Sequence, residues 1–105
     1  MNYETYLQEA KTAVDNQNDV DFGYTMKLDF GSDKIIYIDD TGDECIVSNE
    51  NKDANITFVL SEITWEKMKT NQIGGAQAFA EGNMTVKGDF RIMIYAGNLF
   101  KKLTT

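Results

Sequence analysis

Hydrophobic residues recur along this chain in two rhythms, and each rhythm predicts a kind of element. Tyr3, Tyr6, Leu7, Ala10 and Val14 stand three and four apart, the stripe of an amphipathic helix, before the polar run Asp15-Asn16-Gln17-Asn18 ends it. From Val20 to Phe30 the period drops to two: Val20, Phe22, Tyr24, Met26, Leu28 and Phe30 alternate with Asp21, Gly23, Thr25, Lys27 and Asp29. This predicts a long strand with one buried and one wet face. Gly31-Ser32-Asp33 turns the chain into a second strand over Lys34 to Asp39, and Asp40-Thr41-Gly42-Asp43 turns it again into a third over Glu44 to Asn49. The polar stretch Asn49 to Asp53 is a connection, after which Ala54, Ile56, Phe58 and Leu60 alternate as a fourth strand.

The second half returns to helical spacing. Ser61 stands where an N-cap is expected and Glu62 suits the first turn of the helix carrying Trp65 and Met68. Gly74-Gly75 reads as a flexible joint to a short helix stopped by Gly82, and Asn83 to Lys87 forms a last strand closed by a turn at Gly88-Asp89. The final helix carries Phe90, Ile92, Met93, Ile94, Tyr95, Ala96, Leu99, Phe100 and Leu103, more apolar surface than one face can present to an ordinary core. The order of helix, four strands, two helices, strand and helix predicts an α+β layer with helices on one face of a single sheet.

Composition narrows the chemistry. A chain of 105 residues makes one domain over residues 1–105, large enough to bury roughly 65% of its unfolded surface. The formal charge of -7 disfavours nucleic acid and anionic membrane surfaces, which attract basic patches. The chain has no histidine, so Ser-His-Asp and Cys-His catalysis, His zinc sites and any imidazole acid/base are excluded. Cys45 is a single cysteine with no internal disulfide partner, expected to be a buried, inert thiol in the third strand. The acidic group Asp39, Asp40, Asp43 and Glu44 lacks calcium-loop grammar and reads as a solvated hairpin turn. Neither a cofactor, a metal nor an enzyme activity is expected. No apolar leader precedes Met1-Asn2-Tyr3-Glu4, no apolar run spans a bilayer, and Lys102-Leu103-Thr104-Thr105 is not a peroxisomal address, so a bacterial cytoplasmic protein is the simplest expectation.

The pattern Phe79-x-x-Gly82-x-Met84-x-Val86-x-Gly88-Asp89, preceded by Ser61 to Met68 and Ile73-Gly74-Gly75-Ala76, resembles the sterol carrier protein (type 2) family of lipid-binding domains. The likeness is detailed over residues 54–103. It implies a single five-stranded mixed, mainly antiparallel sheet with helices packed on one face, and a ligand held between those helices and the sheet. The residues that would line an apolar tunnel are Trp65, Met68, Phe79, Met84, Val86, Ile92, Met93, Ala96 and Phe100. Methionine suits a pocket whose contents vary. The expected role is a carrier of fatty acids, acyl chains or sterol-like molecules, without stable membrane insertion. The alternative is an interaction module whose groove receives a second copy or an enzyme partner, since domains resembling this family occur fused to enzymes.

Overall fold

The computed structural model describes residues 2–16 and 22–103, and in it the two rhythms become a five-stranded sheet and four α-helices. In chain order these are α1 (Tyr3–Asn16), β1 (Thr25–Asp29), β2 (Ile35–Asp39), β3 (Ile46–Ser48), β4 (Ile56–Leu60), α2 (Glu62–Lys69), α3 (Gly75–Ala80), β5 (Met84–Gly88) and α4 (Met93–Leu103), with a 3₁₀ turn over Phe90–Ile92 leading into α4. The sheet order is β3-β2-β1-β4-β5. Neighbours run antiparallel except the central pair, β1 and β4, which is parallel with Met26 opposite Ile56 and Leu28 opposite Phe58. The fold is therefore α+β with a mixed, mainly antiparallel sheet.

Period two places the core. Met26 and Leu28 on β1, Ile36 and Ile38 on β2, Ile56, Phe58 and Leu60 on β4 and Met84 and Val86 on β5 are all buried together against Tyr6, Ala10 and Val14 of α1, Trp65 and Met68 of α2, Ala78 of α3 and Ala96, Leu99, Phe100 and Leu103 of α4. One face of the sheet thus meets the helices. The opposite face is wet on β5, where Thr85 and Lys87 are exposed, but not on β2, where Ile35 and Tyr37 are also buried. The connection after β3 explains part of this departure: Tyr37 Oη donates to the Asp53 carbonyl (2.8 Å), and Lys27 Nζ donates to the Lys52 carbonyl (2.9 Å). Residues 49–55 return from the sheet's edge to its centre across that face, which lets β4 enter parallel beside β1.

The first strand is shorter than its alternation predicts. Strand pairing begins at Thr25, because Gly23 takes a left-handed conformation (φ +76°) and the amides of Phe22 and Gly23 donate to the Asp40 carboxylate (2.8 Å each) instead of to a neighbouring strand. Phe22, Met26 and Leu28 face the core as alternation requires, while Tyr24 is half-buried and Val20 lies outside the described residues. The third strand likewise contracts to Ile46–Ser48, leaving Cys45 in the turn before it, half-buried and not buried in a strand as expected.

Helix ends follow the sequence signals. Ser61 Oγ accepts the Thr64 amide (3.0 Å), the N-cap bond of α2. At the other end Asn71 is left-handed (φ +61°), its amide donates to the Met68 carbonyl, and the Gln72 amide donates to that of Lys67. Gly82 repeats the arrangement after α3, with Gly82 donating to Phe79 and Asn83 to Ala78. Each is a Schellman closure, which satisfies the last carbonyls and reverses the chain sharply.

Candidate functional site

Those two reversals bring the end of α2, the start of α3 and β5 close to the outer flank of α4. Between them lies a half-open cleft of about 530 Å³, a size usual for small-molecule sites. Phe58, Met84 and Val86 contribute from the sheet, Met68 and Asn71 from the end of α2, and Ile73, Gly74, Gly75, Ala76 and Phe79 from the joint and α3. Met93, Gly97, Phe100 and Lys101 form the α4 wall. Apart from Asn71 and Lys101, every lining side chain is apolar or absent. Phe79 is 53% exposed and Met93 38%, so the cleft opens to solvent between α3 and α4.

Of the nine residues singled out from the sequence, Met68, Phe79, Met84, Val86, Met93 and Phe100 line the cleft. Trp65, Ile92 and Ala96 do not: all three are buried in the core behind it. Trp65 packs edge-on against Phe30 (6.2 Å between centroids) and Phe100 (5.3 Å), and Phe100 links it to the cleft wall. On α4 the helical period separates wall from core: Met93, Gly97 and Lys101 run down the cleft flank, Ala96, Leu99 and Leu103 face the core, and Phe100 borders both. Not singled out as site residues from the sequence were Phe58, Asn71, Gly97, Lys101 and the joint Ile73-Gly74-Gly75-Ala76. The one signal available for Gly97 was a glycine in the middle of an otherwise helix-favouring run.

The described residues lining the cleft include no cysteine, hydroxyl or carboxylate side chain, and Lys101 is the ionisable residue among them. Burial and the neighbouring carboxylates of Asp40 and Asp39 push the Cys45 thiol up to about 12, and its side chain is also hydrogen-bonded to Asp40. The thiol stays protonated at neutral pH, and it is not among the cleft residues. We expect Cys45 to react with a thiol reagent at pH 8 at least about a hundredfold more slowly than a free cysteine, since only the thiolate attacks. A rate equal to that of the urea-unfolded chain would refute this. The folded chain holds that proton more tightly than the unfolded one, so this contribution to stability is full below the ordinary value of 9.0 and is lost as pH rises towards 12.

The acidic turn is occupied by its own backbone. Asp39 Oδ1 accepts from the Thr41 hydroxyl (2.5 Å) and amide (2.9 Å), which hold its carboxyl below the ordinary value, and Asp40 caps Phe22 and Gly23. Among the described residues, no group of three or more His, Cys, Asp or Glu is placed to hold a metal ion. None of their helices is long and apolar enough to cross a membrane.

Comparisons with known proteins bear on the same framework. The family model described as the SCP-2 sterol transfer family matches residues 6–101. No curated protein matches the chain in sequence. Among solved structures, the sterol carrier protein domain 2 of Helicoverpa armigera superposes with a TM-score of 0.70 at 12% identity, covering 96% of this chain and 86% of that one. Sterol Carrier Protein 2 Like 2 from Aedes aegypti gives 0.69 at 12% identity, over 90% and 93%. A third, the inverting sec-alkylsulfatase Pisa1 from Pseudomonas sp., gives 0.60 at 19% identity over 83% of this chain but only 14% of that enzyme. At these identities the superpositions speak for the fold alone.

Proposed function

We infer this protein's function from one premise: the chain belongs to the SCP-2 sterol transfer family. That membership points to hydrophobic lipids as the class of molecule bound or transferred. On it we build the finer reading of a small cytoplasmic carrier that holds a fatty acid, an acyl chain or a sterol-like molecule in the cleft between α2, α3, β5 and α4, and that works without catalysis. The observation carrying this reading is the cleft itself, because it is large enough for a ligand and apolar along nearly its whole wall. Desolvation would drive binding. Each buried methylene is worth about 0.8 kcal/mol, and much of the total is offset by the ordering of ligand and side chains, which sets micromolar affinity as the expectation.

A second reading keeps the interaction module, whose partner would enter the same groove and cover the exposed apolar residues of the 3₁₀ turn and α4 beside it. Ile94 is 71% exposed, Phe90 and Tyr95 are exposed as well, and such apolar surface suits a protein partner, whether an enzyme or a second copy. Two measurements separate the readings. Native mass spectrometry and solvent extraction of protein purified from its own host should recover a hydrophobic small molecule if the carrier reading holds. Trp65 is the only tryptophan, and its contact with Phe100 makes its emission responsive to the cleft. Its intensity or wavelength should change saturably as a long-chain fatty acid is added. Lipid-free protein, silent towards acyl, sterol and polyaromatic probes but dimerising with concentration, would turn the conclusion to the interaction module.

A further inference from the structure

Gly97 sits where the fold has no use for a glycine. It is the fifth residue of α4, away from either end, and it takes no left-handed conformation. A methyl group built on it would meet no atom within 4 Å, so no neighbouring backbone approaches closely enough to require its absence. Glycine in a helix interior costs stability relative to alanine through backbone entropy. Capping, positive φ and close packing, the usual structural reasons for glycine, are therefore all missing. What Gly97 does face is the cleft, between Met93 one turn before it and Lys101 one turn after.

The glycines across the cleft sit differently, at a helix start or against a neighbouring side chain. Gly74 is the N-cap of α3, a position glycine fills acceptably, and a methyl group on Gly75 would make ordinary contact with Met68 Cε at 3.7 Å. A methyl group on Gly74 would also meet nothing within 4 Å, but its N-cap position accounts for the glycine, which leaves Gly97 as the cleft glycine without a structural reason.

We propose that Gly97 is the specificity-determining residue of the cleft: the space above its Cα is occupied by ligand, and its missing side chain gives the cleft the width to admit a broad, rigid apolar molecule such as a fused-ring lipid. This rests on the carrier reading. A flexible acyl chain can bend around a side chain at position 97, whereas a rigid ring system cannot, so enlarging the residue selects between them. A β-carbon there meets no neighbouring atom within 4 Å, so helix packing does not oppose the alanine variant.

The experiment measures a fluorescent sterol and a fluorescent polyene fatty acid binding to the parent, Gly97→Ala and Gly97→Leu, with thermal melts of each protein. Gly97→Ala should raise the melting temperature by about 4 °C, since alanine is the better helix former and nothing opposes its methyl group. Gly97→Leu should weaken sterol binding about tenfold or more, as expected when carbon atoms intrude on a pocket, and fatty acid binding much less. Should the leucine variant fold poorly, the alanine variant reports the same selective loss at smaller size. Unchanged sterol affinity, equal losses for both probes, or a lower melting temperature for Gly97→Ala would overturn the proposal while leaving the carrier reading intact. A parent protein that binds neither probe would remove the carrier reading, and this proposal with it.

Discussion

Gly88→Ala should cost roughly 3–5 kcal/mol of folding stability and lower the melting temperature by about 15 °C or more. Two separate effects add there. Gly88 has φ of +110°, a conformation L residues rarely adopt, and a methyl group would lie 2.3 Å from the Asn55 carbonyl oxygen and 3.1 Å from Ile56 Cα. Those atoms are backbone and cannot turn aside. They also belong to a joint that holds three strands, since Asp89 donates its amide to the same Asn55 carbonyl (2.8 Å), Ile56 pairs with Gly88, and the Asn55 side chain accepts the Thr25 amide and hydroxyl (2.9 Å each). Gly31→Ala is the comparison: its φ is +85°, but a methyl group there meets nothing within 4 Å, so it should cost only the conformational part, about 1–2 kcal/mol. Equal denaturation midpoints for the two variants would mean that the close approach to Asn55 is unimportant.

On the carrier reading, Met84→Lys should weaken lipid binding about a hundredfold or more while leaving a folded protein. Met84 stands on β5 opposite Leu60, is 6% exposed, and lines the cleft. Because the cleft is half-open, a lysine here can reach water along it when the site is empty. Bound lipid would seal that path and strip the ammonium of water, at a cost of several kcal/mol for an unpaired ion. The loss therefore falls on binding more than on folding. Met84→Leu conserves volume and should keep binding near the parent's value. Titration followed by Trp65 emission, beside far-UV circular dichroism to establish the fold, checks both; a folded Met84→Lys protein that binds fatty acid like the parent would place the ligand elsewhere.

Much of this fold was legible before any coordinates. Met26, Leu28, Ile56, Phe58, Met84 and Val86 alternate with polar or exposed neighbours because one sheet face is buried, and that periodicity is written residue by residue. Ser61 and Gly82 mark their ends for equally local reasons, a cap bond in the first case and left-handed backbone in the second. The misjudged boundaries were those set by distant partners. Asp40 captures the amides of Phe22 and Gly23 and so shortens β1, an effect of a side chain seventeen or eighteen residues away that alternation alone does not reveal.

The cleft follows the same division. That an apolar site would lie near Met68, Phe79, Met84, Met93 and Phe100 was an expectation from the family resemblance over residues 54–103, joined by the surplus of apolar residues on the final helix. Which of the apolar residues line it could not be anticipated. Ile92 and Ala96 each differ from a cleft-lining neighbour, Met93 and Gly97, by one position, while Trp65 lies three residues before Met68, and only the packing of α2 and α4 on the sheet decides which flank is core and which is wall. Sequence by itself thus determined the element types, the covered sheet face and the family, since periodicity, caps and turn glycines act within a few residues. Tertiary structure decided the parallel β1–β4 pairing, the burial of β2 on both faces and the empty space over Gly97, since these depend on distances between elements that no local pattern encodes.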